Sequence, residues 1–170
     1  MMKDYPLPVL GVAGYKNSGK TTMVTRIVRE LTGRGYAIST IKHAHHGFDI
    51  DKPGRDSFLH RGAGAQEVAI ISNSRWALMH ELRGAEKPVF DEVLSKISPC
   101  DLVIVEGYKQ EPHPKIELRS VNSTRDDLSP ADDTIVAIAT DHPLDEERLP
   151  VFERDDIPAI ADFIIEYYKL

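Results

Sequence analysis

The chain has 170 residues but a single cysteine, Cys100, and no apolar run near the roughly 18 residues that a membrane span needs. One cysteine excludes an intramolecular disulfide and any cysteine-based zinc site, and it makes a reducing interior the simpler setting. Residues 1–8 hold Lys3, Asp4, Tyr5 and two prolines, with no apolar segment behind a basic start. No secretory signal and no membrane association are therefore expected, and the cytoplasm is the expected location. There is also no internal repeat and no low-complexity linker. One domain over residues 1–170 is the expected organisation.

A basic excess is missing too. The net charge is −6, with 41% hydrophobic and 28% charged residues, an ordinary globular composition. A net-acidic chain lacks a general attraction for a phosphate backbone, so no nucleic-acid partner is expected. The two halves nevertheless differ. Residues 1–85 carry 12 Lys and Arg against 7 Asp and Glu, whereas residues 86–170 carry 9 against 20. The basic half suits a small phosphate-bearing ligand.

What is present is an alternation of apolar strands and amphipathic helices. Val9 to Ala13 reads as a strand; Met23, Val24, Ile27, Val28 and Leu31 recur at one-face helical spacing until Gly33 and Gly35; Tyr36 to Lys42 reads as a second strand. A helix is expected over Ser57 to Ala63, a strand over Val68 to Ile71, and a hairpin partner over Trp76 to Leu82. Phe90, Val93, Leu94 and Ile97 mark another helical face. Leu102 to Val105 and Ile135 to Ala139 are apolar runs of the kind covered on both faces, and Lys115 to Arg119 is a strand within an irregular stretch. The last helix, with Ile157, Ile160, Ala161, Ile164, Ile165 and Tyr168, is capped by Asp155 or Asp156 and has Pro158 in its first turn. This pattern predicts an α/β fold with a mostly parallel sheet flanked by helices.

Between the first strand and helix stands Gly14-Tyr15-Lys16-Asn17-Ser18-Gly19-Lys20-Thr21, which fits G-x-x-x-x-G-K-[ST]. In that place backbone N–H groups from Gly14 through Thr21 and the positive end of the helix dipole converge on phosphate. Lys20 is expected on the β- and γ-phosphates, the Thr21 hydroxyl on Mg²⁺, and Thr22 near the α-phosphate. The alternative is a glycine-rich turn capped by Ser18, which has no use for the lysine. The strand Asp101-Leu102-Val103-Ile104-Val105-Glu106 ends in a carboxylate suited to hold the Mg²⁺ hydration shell or orient water. Glu106 is the candidate, and Asp101 is a turn or cap residue. Lys20 and Glu106 are the candidate catalytic groups, and Thr21 and Glu106 the candidate metal-binding ones.

The phosphate loop, Ile41-Lys42-His43-Ala44-His45-His46, Asp51-Lys52-Pro53-Gly54-Arg55-Asp56-Ser57, Arg75-Trp76-Ala77-Leu78-Met79 and Val105-Glu106-Gly107-Tyr108-Lys109 follow one another in an order and spacing. Over nearly the whole chain this resembles the MobB family, GTP-binding adapter proteins of molybdopterin guanine dinucleotide biosynthesis. The resemblance implies a phosphate-loop nucleoside triphosphatase fold, a homodimer, GTP with Mg²⁺, weak hydrolysis, and assistance to the guanylyltransferase that joins GMP to molybdopterin. Dimeric ATPases related to this fold carry a lysine directly after the first glycine; here that position is Tyr15 and the lysine is Lys16. The short strands around Trp76 to Leu82 and Lys115 to Arg119 are the expected pairing edges of a dimer.

Lys42, His43, His45, His46, Lys52 and Arg55 gather positive or protonatable groups after the second strand. Molybdopterin carries a phosphate, so Lys42 and His43 are candidate ligand-binding residues. A metal site built on the three histidines and a plain polar loop remain alternatives, and Asp49, Asp51 and Asp56 could orient the histidines, touch Mg²⁺ or form turns. Asp141, after the strand ending in Thr140, stands where many GTP-binding phosphate-loop proteins read guanine; the alternative is a turn before His142-Pro143. Two other functions fit parts of the pattern. A small-molecule kinase would need a lid, for which Arg119 and Arg125 are the available arginines, and a nickel-insertion GTPase would use the histidines.

Overall fold

The computed structural model describes residues 2–3, 5–44, 47–144 and 147–170 and divides into two compact units, Met1–His43 with Ile97–Leu170, and Ala44–Lys96. In the first unit β1 (Val9–Ala13), β2 (Ile38–Lys42), β5 (Leu102–Glu106), β6 (Lys115–Arg119), β7 (Ile135–Thr140) and β8 (Val151–Glu153) form one sheet in the order β2-β5-β1-β6-β7-β8. Every pairing in it is parallel. The helices α1 (Lys20–Gly33) and α4 (Ile157–Tyr168) cover one face. The second unit holds α2 (Asp56–Gly62), the antiparallel hairpin β3 (Glu67–Ile71) and β4 (Trp76–His80), and α3 (Phe90–Leu94).

The strand periodicity explains the main core. Leu10 and Val12, Leu102 and Ile104, Ile116 and Leu118, and Ala137 and Ala139 alternate onto one side of the sheet. There they meet Met23, Val24, Ile27 and Leu31 of α1 and Ile157, Ile160, Ala161 and Ile164 of α4. Ile27, Leu31, Ile104, Ile116, Ile160 and Ile164 have no exposed surface, and each such side chain stabilises the fold by about 1.5–3 kcal/mol. The α4 cap is Asp156, whose carboxylate accepts from the Ala159 N–H at 3.1 Å. Among the described residues no helix is long and apolar enough to cross a membrane.

The opposite face of β6 departs from the sequence reading. Lys115, Glu117 and Arg119 alternate with the core residues and are also buried, so β6 is an interior strand between β1 and β7 and offers no pairing edge. Its charges are matched by loops. The Lys115 ammonium donates to the Glu111 carbonyl at 2.7 Å and pairs with Asp132 at 3.5 Å. Arg119 pairs with Glu117, Asp127 and Glu147, while Glu117 accepts the N–H groups of Leu128 and Ser129. Paired this way, buried charges are tolerated. Other differences are smaller: β2 begins at Ile38, α3 ends at Leu94 with Ile97 beyond it, and β8 was not expected.

Candidate functional site

Chain direction places the candidate site. With β1 central, the chain leaves for β2 on one side of it and for β6, β7 and β8 on the other, and the carboxyl ends of the strands at such a switch point are where parallel α/β sheets bind ligands. The register aligns Val12 and Lys42 with Glu106 on either side of it. The loop after β1, the end of β2 and the end of β5 therefore share one edge.

Within the loop from Gly14 to Thr21 the Ser18 N–H donates to the Tyr15 carbonyl at 3.1 Å, and the turn leads directly into α1. Gly14 has φ 152°, and a Cβ there would lie 2.6 Å from Ser18 Oγ, so only glycine fits. Asn17 adopts φ 66°, the left-handed region that asparagine tolerates better than most side-chain-bearing residues. The cap of α1 is Gly19, without a side-chain cap bond and with no acidic residue in the first turn. Ser18 does not cap the helix: its Oγ is buried and has no hydrogen-bond partner among the described residues. The first N–H groups of a helix have no intrahelical partner, and together with a buried orphan hydroxyl they are what an anion satisfies.

Side chains from two strand ends and the first turn of α1 meet there. The Thr21 hydroxyl donates to Glu106 Oε1 at 2.8 Å, and Lys42 Nζ lies 3.3 Å from the same oxygen. Two adjacent oxygen donors, a hydroxyl and a carboxylate, fit a hard cation whose shell phosphates and water complete. Lys20 Nζ donates to the Tyr15 carbonyl at 2.6 Å. Its ammonium is held below the ordinary lysine range by burial, then by Lys109 and Lys42, with Glu106 opposing. Lys16 and Asn17 are exposed on the loop and Thr22 on the first turn of α1. His43 stacks on Tyr108 with ring centroids 4.7 Å apart, and its N–H donates to the Glu106 carbonyl at 2.9 Å.

Other candidates are placed differently. Asp141 accepts from Ser120 Oγ at 2.7 Å and the Val121 N–H at 2.8 Å, and lies 3.0 Å from His142 Nδ1; these bonds hold its carboxyl down at about 2. Asp101 accepts the Ala37 N–H at 2.7 Å, the turn role expected of it. In the second unit Asp49 and Asp51 are engaged by Arg61 at 2.8 and 2.7 Å, with Glu81 on the same guanidinium, while Lys52, Arg55 and Asp56 are exposed. His45 and His46 lie outside the described residues. Among the described residues no group of three His, Cys, Asp or Glu side chains could hold a metal ion.

Sequence reasoning missed Arg154, which follows β8. Its guanidinium donates to the Ser18 carbonyl and lies 3.7 Å from Asp141, spanning from the loop to the strand end where guanine was expected to be read. No local pattern announces it, because β8 is three residues long and the loop is 136 positions away.

A parallel sheet with a G-x-x-x-x-G-K-T loop between its central strand and first helix defines the phosphate-loop nucleoside triphosphatase fold. Within that class, the family described as molybdopterin guanine dinucleotide synthesis protein B, MobB, matches residues 9–141, and the chain belongs to it. It is 41% identical to the molybdopterin-guanine dinucleotide biosynthesis adapter protein of Haemophilus influenzae, over 93% of this chain and 88% of that one. It is 36% identical to the adapter protein of the same description from Escherichia coli, over 96% and 94%. The crystal structure of Bacillus subtilis MobB superimposes with a TM-score of 0.72 at 26% identity, covering 94% of this chain and 97% of that one.

Proposed function

We propose that the protein is a GTP-binding adapter that assists the guanylyltransferase converting molybdopterin to its guanine dinucleotide, with weak Mg²⁺-dependent hydrolysis. The observation that carries the nucleotide reading is the shared edge of Lys20, Thr21, Glu106 and Lys42 around a loop whose Ser18 hydroxyl is buried and orphaned. The names of the relatives support the pathway. In this reading Lys20 neutralises phosphate, while Thr21 and Glu106 would hold Mg²⁺, which would stabilise charge on the terminal phosphates. Lys42 and His43 are the proposed contacts for the molybdopterin phosphate, and Asp141 the proposed guanine reader. The cytoplasm is the proposed location.

A homodimer is part of the proposal. On the hairpin, Ala69 and Ile71 share a face with Leu78 and Trp76. Ile71, Trp76 and Leu78 are 77%, 71% and 52% exposed, an apolar surface that a second copy would cover. The kinase alternative loses one of its two lid arginines, since Arg119 is buried in ion pairs. Calorimetry with GTP and Mg²⁺ tests the nucleotide reading. Lys20→Ala is expected to weaken GTP at least about a hundredfold while its melting temperature stays unchanged, because the lysine makes a charge contact rather than a packing one. A folded variant with wild-type affinity would remove the phosphate-loop assignment. Co-elution with the guanylyltransferase tests the adapter role.

A further inference from the structure

Two turns that follow central strands converge on Tyr15, the second residue of the phosphate loop. The Lys109 ammonium and the Arg125 guanidinium each lie 5.1 Å from the centre of its ring. The phenol hydroxyl donates to the Asp126 carbonyl at 2.9 Å, and the Tyr15 carbonyl accepts from Lys20 at 2.6 Å. One residue thus holds three cations beside the loop.

The turn carrying Lys109 is built for this. Gly107 and Tyr108 are consecutive left-handed residues, with φ 101° and 51°. A Cβ on Gly107 would lie 2.8 Å from His43 Cβ, so that position requires glycine. Tyr108 bears the less favoured conformation with its ring stacked on His43. Strain of this kind persists where neighbouring contacts enforce it, and it gathers at ligand clamps. Its effect is to double the chain back after Glu106, so that Glu106 meets Thr21 while Lys109, three residues on, meets Tyr15.

The charge balance is uneven. Lys109 and Lys42 act on Lys20 with the same sign, opposed by Glu106 alone among its charged neighbours. Gathered cations repel one another unless a polyanion enters among them. A cation over the half-buried Tyr15 ring is also held weakly compared with one bonded to phosphate.

We propose that Lys109 and Arg125 bind the terminal phosphate of a nucleoside triphosphate, and that Tyr15 is the positioning residue that keeps both cations over the loop until it arrives. The assignment rests on the nucleotide reading above and deepens it: a diphosphate lacks the group that draws the cations from the ring, so the clamp discriminates GTP from GDP.

The test is calorimetry on the full chain with Mg²⁺, using GDP and a non-hydrolysable GTP analogue. Lys109 and Arg125 are exposed, so their substitution leaves the core intact. Lys109→Met is expected to weaken the analogue roughly tenfold or more and GDP by less than about threefold, with Arg125→Gln acting in the same direction. Tyr15→Phe keeps the ring and the triphosphate preference; Tyr15→Leu loses much of it. Equal changes for both nucleotides, or none, in Lys109→Met would overturn the clamp and leave the nucleotide reading standing. Equal behaviour of Tyr15→Phe and Tyr15→Leu would overturn the positioning role. Wild-type protein that binds neither nucleotide would overturn the clamp and the nucleotide reading together.

Discussion

Two clusters of charge lie on the same sheet and have opposite balances. On the outer face of β6, Lys115 and Arg119 are buried, and each has its carboxylates: Asp132 for the first, and Glu117, Asp127 and Glu147 for the second. At the end of β1, Lys20, Lys42, Lys109 and Arg125 surround a loop to which Glu106 brings a carboxylate, with a buried hydroxyl left unsatisfied. The first cluster is closed and fastens the segments 107–114 and 120–134 to the sheet. The second is open toward an anion. Burial alone does not separate a structural charge from a functional one; whether the charge is already answered does.

The largest effect should come from breaking the closed cluster. Arg119→Met leaves Glu117, itself 2% exposed, without its cation, and should cost about 3–5 kcal/mol in denaturant unfolding. Lys20→Ala, by contrast, should leave stability unchanged. If Arg119→Met were neutral, the outer face of β6 would be less closed than the ion pairs suggest, and the comparison would fail.

His113 sharpens the same contrast through pH. It is fully buried, and burial first, then Lys115, push its imidazole down to about 4 from an ordinary value of 6.5, with Asp132 opposing. Between those values the unfolded chain binds a proton that the folded chain refuses. Stability is therefore full above about pH 6.5 and is lost as the pH falls toward 4. At about 1.4 kcal/mol per unit, the loss from pH 7 to pH 5 is about 2 kcal/mol. His113→Gln should flatten that part of the profile in urea titrations at the two pH values. An unchanged slope would place the acid sensitivity in the carboxylates instead.

Much of this architecture is legible in the sequence, and the reasons are local. β1, the phosphate loop and α1 are legible because an apolar run, a glycine pattern and a one-face helix are contiguous. The pattern of Lys115–Arg119 places β6 but reads as an edge, because alternating charge normally marks a solvated face. The carboxylates that bury those charges come from positions 127, 132 and 147, which no window around β6 contains. The same holds for the site. Glu106 and Lys20 announce themselves by strand end and motif, whereas Arg154 and Arg125 reach the loop through the path of the chain. Lys109 ends the run Val105-Glu106-Gly107-Tyr108-Lys109, yet only two left-handed residues explain why the chain turns back there.

The smallest predicted effect concerns Asp141, which belongs to neither cluster cleanly. Its carboxylate is engaged by Ser120, Val121 and His142, as a closed group would be, yet Arg154 links it to the phosphate loop, as an open one would be. A carboxylate accepts from the N1–H and N2 amino groups of guanine, donors that adenine lacks there, and each charge-assisted bond is worth about 1.5–3 kcal/mol. Asp141→Asn keeps one acceptor for the Val121 N–H but replaces the second with a donor. If the residue reads guanine, the variant should weaken GTP roughly tenfold and favour xanthosine triphosphate, whose O2 carbonyl accepts from the new amide. If it only anchors the turn after β6, the variant should lower the melting temperature while the ratio of GTP to xanthosine triphosphate affinity stays constant. Competition calorimetry with both nucleotides separates the two, and the constant ratio would assign Asp141 to the closed side of the molecule and leave guanine to be read elsewhere along the same edge of the sheet.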